Sequence, residues 1–496
     1  MIFPTKDKFK ELSQKGNLIP VYKELIADLE TPVSVFMKLD NGGHTFLLES
    51  AEGVEKFGRY SFIGSEPNII FSMRGNEITI RENGQEKKIT TQLDPLQELQ
   101  KLMKQYKPAT VDDEHELPIF YGGAVGYLSY EAISFFEPTV PVAHDDDLDL
   151  PDAYFIISDT MVLFDHHTRR MKILVNTHVQ SDVDSAYDQA IAKISEIENL
   201  LDKPLDHSKV FAARREAEVS DPDVNMTQDY YVSMTERMQE HIRAGDIFQV
   251  VPSQRFAVPF DQDPLDLYRA LRFVNPSPYM FCLKFDDFAL VGASPETHVR
   301  CEDGMINIRP IAGTRPRKED LAEDYAMEEE LLADPKERAE HLMLVDLARN
   351  DLGRVCEFNT VEVTDFMIIE RYSHVMHIVS NVIGKLKDDQ SVYDVMRATF
   401  PAGTVTGSPK IRAMQIIAEN EPTHRGPYAG AVGYFGFSGN LDSCITIRTI
   451  TLKNGQAYVQ AGGGLVADST PIGEYNESVN KAKAGVKAIA QAKAFK

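Results

Sequence analysis

Residues 449–466 read TITLKNGQAYVQAGGGLV. Two alternating runs flank Asn454-Gly455, the strongest short signal for a two-residue hairpin turn of type I′. A hairpin joins antiparallel strands. Outward from it, GGHTFLLES (42–50), RYSFIG (59–64) and NIIFSMRG (68–75) also read as strands with glycine punctuation. Helices fall between strands: DVDSAYDQAIAKISEIENLL (182–201), and TQDYYVSMTERMQEHIRAGD (227–246) with Thr227 as N-cap. Strands joined mostly by hairpins predict an α+β fold rather than a doubly wound α/β one. Residues 202–226 are polar, contain proline and lack apolar periodicity, so they mark a linker between residues 1–201 and 227–496. HDDDLDLPD (144–152) reads as a solvated acidic loop. One internal echo stands out, YGGAVGYLSYE (121–131) against YAGAVGYFGFSG (428–439). Two glycine-rich strands packed closely against another backbone explain it.

The chain has 496 residues, enough for two domains or one large composite fold. Its net charge of −24 makes nucleic acid and anionic membranes poor partners. An anionic substrate therefore needs local positive charge or a metal. Cys282, Cys301, Cys356 and Cys444 are scattered without a CxxC and read as reduced core residues of a cytoplasmic protein. The segment MIFPTKDKFKEL has no apolar h-region, and no run approaches membrane-spanning length. Tryptophan is absent, although Phe and Tyr number 26 and 19.

Two glutamate pairs share one spacing. Glu337 and Glu340 lie in ADPKERAEHLMLVDLARNDL, and Glu474 and Glu477 in GGGLVADSTPIGEYNESVNKAKAG. Each pair is i, i+3 near a helix start, so both carboxylates share a helical face. Four such charges brought together need a cation, and an all-oxygen set suits Mg²⁺ or Ca²⁺ rather than Zn²⁺. Spacing by itself favours the plainer reading of solvated helix faces, since Glu is common in first turns. Further segments join them: ASPETH (293–298), IRPIAGTRPR (308–317), PAGTVTGSPKIRAMQII (401–417) and QAGGGLVADSTP (460–471). Thr404 is a hydroxyl on a tight turn, and Gly403 and Gly407 let backbone N–H groups approach an anion. Lys410 and Arg412 follow on the next helix. Gly462, Gly463 and Gly464 form a second backbone cradle, and Arg448 offers bidentate carboxylate binding. Each glycine cluster alone reads more readily as a turn. Together with four glutamates they suggest a metal-assisted site for a small polycarboxylate.

With PAGTVTGSPKIRAM, QAGGGLVADS and HLMLVDLARNDLGRV on the page, the chain resembles the anthranilate synthase component I family of chorismate-utilising enzymes, over nearly its whole length. The resemblance implies a layered sandwich of antiparallel sheets flanked by helices. It implies Mg²⁺ on Glu340 and Glu477, with Glu337 and Glu474 supporting. Arg448, Tyr428 and the Gly462–Gly464 backbone are implied to hold the enolpyruvyl carboxylate of chorismate. Thr404 and His377 are implied to lie against the ring. Glu296 is the implied general acid, protonating a C4 hydroxyl that otherwise leaves poorly. Ammonia then adds at C2, and loss of a proton and pyruvate yields anthranilate, the first committed product of tryptophan biosynthesis.

Two positions choose within the family. Relatives that make aminodeoxychorismate carry a nucleophilic Lys where this chain has Ala312. Isochorismate and salicylate synthases carry a water-activating Lys where it has Gln249. Lacking both, the chain fits ammonia addition at C2. The alternative is aminodeoxychorismate synthase component I. A different class, a non-catalytic tryptophan-sensing subunit, has no need of an acid or metal ligands. No glutaminase signature appears, so the resemblance implies a separate glutamine amidotransferase subunit, commonly in a heterotetramer of two pairs. It also implies a tryptophan inhibitory site: Glu49 and Ser50 for the ammonium, Pro278, Tyr279 and Met280 along the indole, and Val432, Gly433 and Tyr434 opposite. Interdomain packing is the plainer reading of those segments.

Overall fold

The computed structural model describes residues 2–50, 58–82, 84–109, 117–142, 145–205, 221–372 and 375–495. Asn454 and Gly455 take φ of +52° and +71°, as a type I′ turn requires. They join the antiparallel strands Thr449–Lys453 and Gln456–Gly462. From this hairpin a 12-stranded sheet extends both ways. On one side lie Ser253–Pro259 and the two-residue strand Asp223–Val224. On the other lie Phe288–Ser294 and Tyr279–Lys284, and Tyr279–Lys284 pairs with Thr45–Glu49. A second 12-stranded sheet runs from Ile311–Pro316 through Thr297–Glu302 and Ala431–Gly436 to Gln85–Thr90. Its ladders, like those of the first sheet, are antiparallel. Residues 1–201 and 227–496 both contribute strands to each sheet.

Side-chain alternation builds the layers. Phe46, Phe281 and Leu283 point from the first sheet into a core shared with Val125, Tyr127, Val432 and Tyr434 of the second. Leu47, Met280 and Cys282 point the other way, under helices Pro32–Leu39, Val183–Leu201, Pro264–Val274 and Pro471–Lys493. The outer face of the second sheet is covered by helices Gln228–Ala244, Pro335–Val355, Val392–Thr399 and Lys410–Asn420. The result is the expected sandwich, helix–sheet–sheet–helix.

The echoing strands are neighbours: Gly123–Leu128 pairs with Ala431–Gly436, with Gly126 opposite Gly433. A Cβ on Gly126 would overlap the Tyr154 carbonyl oxygen, and one on Gly433 that of Asp442. Backbone proximity therefore imposes the repeated glycine. Thr227 caps its helix, its Oγ1 accepting from Tyr230 N at 3.2 Å. Asp182 caps the helix at 183. The acidic loop is more than solvated surface. Asp147 accepts from buried Arg255, Asp146 from Arg74 at 2.6 Å, and Asp152 from Gly75 N at 2.7 Å. The four cysteines are free and buried. Among the described residues no helix is long and apolar enough to cross a membrane. Residues 206–220 of the expected linker lie outside the described residues.

Candidate active site

Each glutamate pair spans the first and second turns of a long helix that begins with proline, a residue already set to helical φ. Asp334 caps Pro335–Val355, accepting from Lys336 N and Glu337 N. Thr470 precedes Pro471–Lys493. Between the helices runs the end of strand Gln456–Gly462. A Cβ on Gly463 would lie 2.6 Å from Oε2 of Glu474 and 3.2 Å from Oε1 of Glu477. One on Gly464 would lie 3.6 Å from Oε1 of Glu340. A side chain at 463 would displace the Glu474 carboxylate, and one at 464 would meet Gln249 Nε2 at 2.5 Å. Gln249 Nε2 donates to Glu340 Oε1 at 3.0 Å, and Arg315 Nη1 to Glu337 Oε1 at 3.1 Å. Burial raises the pKa of Glu340 and of Glu474, and the other member of each pair adds to the rise, Glu337 for Glu340 and Glu477 for Glu474. Glu474 Oε2 is buried with no hydrogen-bond partner.

A cation already serves this cluster. Lys481 Nζ lies 2.7 Å from Glu477 Oε1 and donates to the Gly462 carbonyl at 3.0 Å. Its charge also lowers the pKa of Glu340, Glu474 and Glu296. Among the described residues no three Asp, Glu, His or Cys side chains converge into a ready-made metal cage. The donor set still fits a hard cation that keeps several waters. It offers carboxylates on two helix faces, one with an orphaned buried oxygen, beside a cradle that a Cβ would fill.

Glu296 follows strand Phe288–Ser294 in a turn whose own carbonyl accepts from Ile445 N at 3.0 Å. Burial pushes its carboxyl up to about 8, opposed by the nearby Thr404 hydroxyl and by Lys481. It is therefore a protonated acid at neutral pH. Thr404 sits in the short 3₁₀ turn Gly403–Val405. The next residues, Gly407 and Ser408, pair with Val250 and Gln249. His377 lies on strand Val375–Lys385, its Nδ1 3.1 Å from the Gly313 carbonyl and 2.9 Å from Thr314 Oγ1. A proton on Nδ1 satisfies that carbonyl and leaves Nε2 as an acceptor. Burial holds the imidazole below its ordinary value, and the charge of Arg448 adds to this. Arg448 takes φ of +51° just before strand Thr449–Lys453. Burial depresses its pKa, while Tyr428 and Glu477 favour its charge. Among the described residues its guanidinium makes no ion pair, which suits it to an incoming carboxylate. Tyr428 is buried, its hydroxyl pushed up to about 12.

Residues from widely separated stretches thus meet around one cradle. Ala312 precedes the bulge at Gly313, where a Cβ would lie 3.2 Å from Glu337 Oε2. Lys410 and Arg412 turn elsewhere, Lys410 to Asp351 and Arg412 to Glu419. Lys481 was missed, though its i+4 spacing from Glu477 was readable. Arg315 and Arg425 were missed too.

Apart from this cluster, a cavity of about 240 Å³ is lined by Glu49, Ser50, Pro278, Tyr279, Met280, Val432, Gly433 and Tyr434, among others. All eight expected residues are there. Glu49 is not a free carboxylate: it accepts from Tyr268 OH at 3.0 Å and from Arg272. Tyr279 OH donates to Asp442 Oδ1 at 2.9 Å within the same cavity.

The family model described as chorismate binding enzyme matches residues 43–487. The chain is 46% identical to anthranilate synthase component 1 of Acetivibrio thermocellus, over 99% of each chain. It is 46% identical to that of Aquifex aeolicus, over 97% of each. The crystal structure of anthranilate synthase component I from Streptococcus pneumoniae superposes with a TM-score of 0.73 at 34% identity, covering 93% of this chain and 99% of that one. MenF, the menaquinone-specific isochorismate synthase of Escherichia coli, shares the fold at a TM-score of 0.70 and 19% identity, covering 98% of each chain. The chain belongs to the chorismate-binding enzymes, in their anthranilate synthase component I branch.

Proposed function

We propose that the protein converts chorismate and ammonia to anthranilate and pyruvate, with Mg²⁺ as cofactor. The observation that carries this reading is Glu296, a half-buried residue whose carboxyl is pushed up to about 8 by desolvation beside Thr404. Such an acid is protonated at neutral pH and can hand its proton to a leaving hydroxyl. Arg448, Tyr428 and the backbone of Gly462, Gly463 and Gly464 hold the enolpyruvyl carboxylate. Thr404 and His377 lie against the ring. Glu296 protonates the C4 hydroxyl, the C4–O bond breaks and water leaves as ammonia bonds to C2, and the ammonium so formed returns a proton to the Glu296 carboxylate. His377 Nε2 takes the C2 proton, the bond between the ring and the enolpyruvyl oxygen breaks, and the departing enolpyruvate takes a proton at its methylene carbon to become pyruvate as the ring aromatises. Glu340 and Glu477 hold Mg²⁺, supported by Glu337 and Glu474. When bound, it supplies positive charge for the ring carboxylate. Ala312 offers no nucleophile, and Gln249 is neutral and engaged with Glu340, so the nucleophile is ammonia itself.

Ammonia derives from glutamine through a separate amidotransferase subunit, in a heterotetramer of two pairs. Tryptophan binds the cavity around Ser50 and Tyr279 and lowers the rate. The relatives named component 1 support a two-part enzyme.

One assay tests these parts. The purified chain with chorismate, Mg²⁺ and ammonium yields anthranilate. Isochorismate or aminodeoxychorismate without anthranilate overturns the reading. Glutamine replaces ammonium only when an amidotransferase subunit is added, and turnover of glutamine by the chain alone sinks that part. Tryptophan slows the reaction, and Ser50→Phe relieves this with the uninhibited rate kept. Unchanged inhibition rejects the assigned cavity.

A further inference from the structure

Behind the Thr404 turn lies a fully buried ion pair that touches none of the glutamate cluster. Arg425 is 2% exposed. Its Nε and Nη2 donate to Glu421 Oε2 and Oε1 at 2.8 and 2.6 Å. Nη1 donates to the Val405 carbonyl at 2.9 Å, and Nη2 to that of Val251 at 2.7 Å. The guanidinium carbon lies 5.6 Å from the centre of the Tyr428 ring. Glu421 Oε1 also accepts from Ser253 N at 2.8 Å. The backbone N–H groups of Arg425 and Gly426 donate to buried Glu131 at 2.7 and 3.0 Å.

A buried ion pair contributes little net stability, because desolvation offsets the attraction. Its connections indicate another role. Val405 adjoins Thr404. Val251 follows Gln249 by two residues and is tied to the same turn, its N donating to the Thr406 carbonyl at 3.0 Å. Tyr428 follows Arg425 by three. We propose that Arg425 is a positioning residue for the reaction, its guanidinium holding the Thr404 turn, the Gln249 strand and the Tyr428 ring in register with one another. The proposal rests on the site assigned above. A planar fork is needed, since one carboxylate and two carbonyls must be met from separate directions. A lysine ammonium is a single point on a flexible stem.

The test uses the full chain with Arg425→Lys, and with the pair Arg425→Met and Glu421→Gln. The double variant removes both buried charges and keeps an acceptor for Ser253 N, so it should stay folded. Chorismate consumption is followed whatever the product, with melting measured in parallel. In the folded double variant kcat falls about a hundredfold, as for a misplaced catalytic group, while KM for chorismate changes less. The alkaline limb of kcat also moves to higher pH, because withdrawing Thr404 removes a group that favours ionised Glu296. Arg425→Lys changes both readouts in the same direction. Wild-type kcat in a folded variant overturns the proposal, as does a lowered kcat with an unmoved alkaline limb. If both variants fail to fold, Arg425 is a core residue and the proposal falls. A wild-type product other than anthranilate overturns the reaction assignment while leaving this comparison intact.

Discussion

At the residue scale, Glu296 carries the clearest consequence of burial. Its carboxyl titrates near 8 instead of near 4.5. As an acid it works below that value, so the rate per unit of free ammonia falls as pH rises through about 8. Glu296→Gln lowers kcat by about 10²–10⁴-fold, the usual worth of a positioned acid, with KM little changed. A rate within tenfold of wild type in a pH series would remove Glu296 from the mechanism. The same shift bears on stability. Its contribution is fully present below the ordinary carboxyl value and is lost as pH climbs through about 8. The Gln variant should therefore melt above wild type at pH 8, with the gap closing toward pH 5. Glu296 was legible in ASPETH through its resemblance. Arg425 was not, because Glu421, Val405 and Val251 become its partners only after folding.

At the element scale, the two long helices act as rigid arms that present carboxylates from their first two turns. The i, i+3 spacing put each pair on one face, and the structure keeps them there. It also distinguishes the members. Glu474 is buried, Glu477 is exposed and paired with Lys481, Glu340 is bonded to Gln249, and Glu337 is bonded to Arg315. Mg²⁺ binding to the native fold alone should raise the melting temperature, by mass action. Glu340→Gln should abolish this rise, measured by thermal melts across a Mg²⁺ series. A full Mg²⁺ shift in that variant would reassign the ligand. The glycines between the arms were legible as a turn or as a backbone cradle for an anion. Their role as close-approach positions needed the opposing carboxylates in place.

At the scale of the whole molecule, the two sheets are common property of both halves of the chain. Thr45–Glu49 pairs with Tyr279–Lys284, and Gly123–Leu128 with Ala431–Gly436. Residues 1–201 or 227–496 expressed alone would expose long unpaired edges and half of the inter-sheet core. Neither fragment should unfold cooperatively by itself, and co-expression should restore a single transition. A fragment with its own sharp calorimetric transition would refute this. The sequence by itself determined what local chemistry controls. The Asn454-Gly455 turn, the Thr227 cap and the alternating strands depend on neighbours a few residues away, and the acid, the arginine and the glutamates were named through motifs that carry a family resemblance. Only the tertiary structure decided what depends on long-range packing. Burial raised Glu296, brought Lys481 into the glutamate cluster and paired the two echoing strands. It also turned Lys410 away to Asp351 and placed the Arg425–Glu421 pair behind the site. Desolvation and register are properties of the assembled sheets, and no short stretch of the chain encodes them alone.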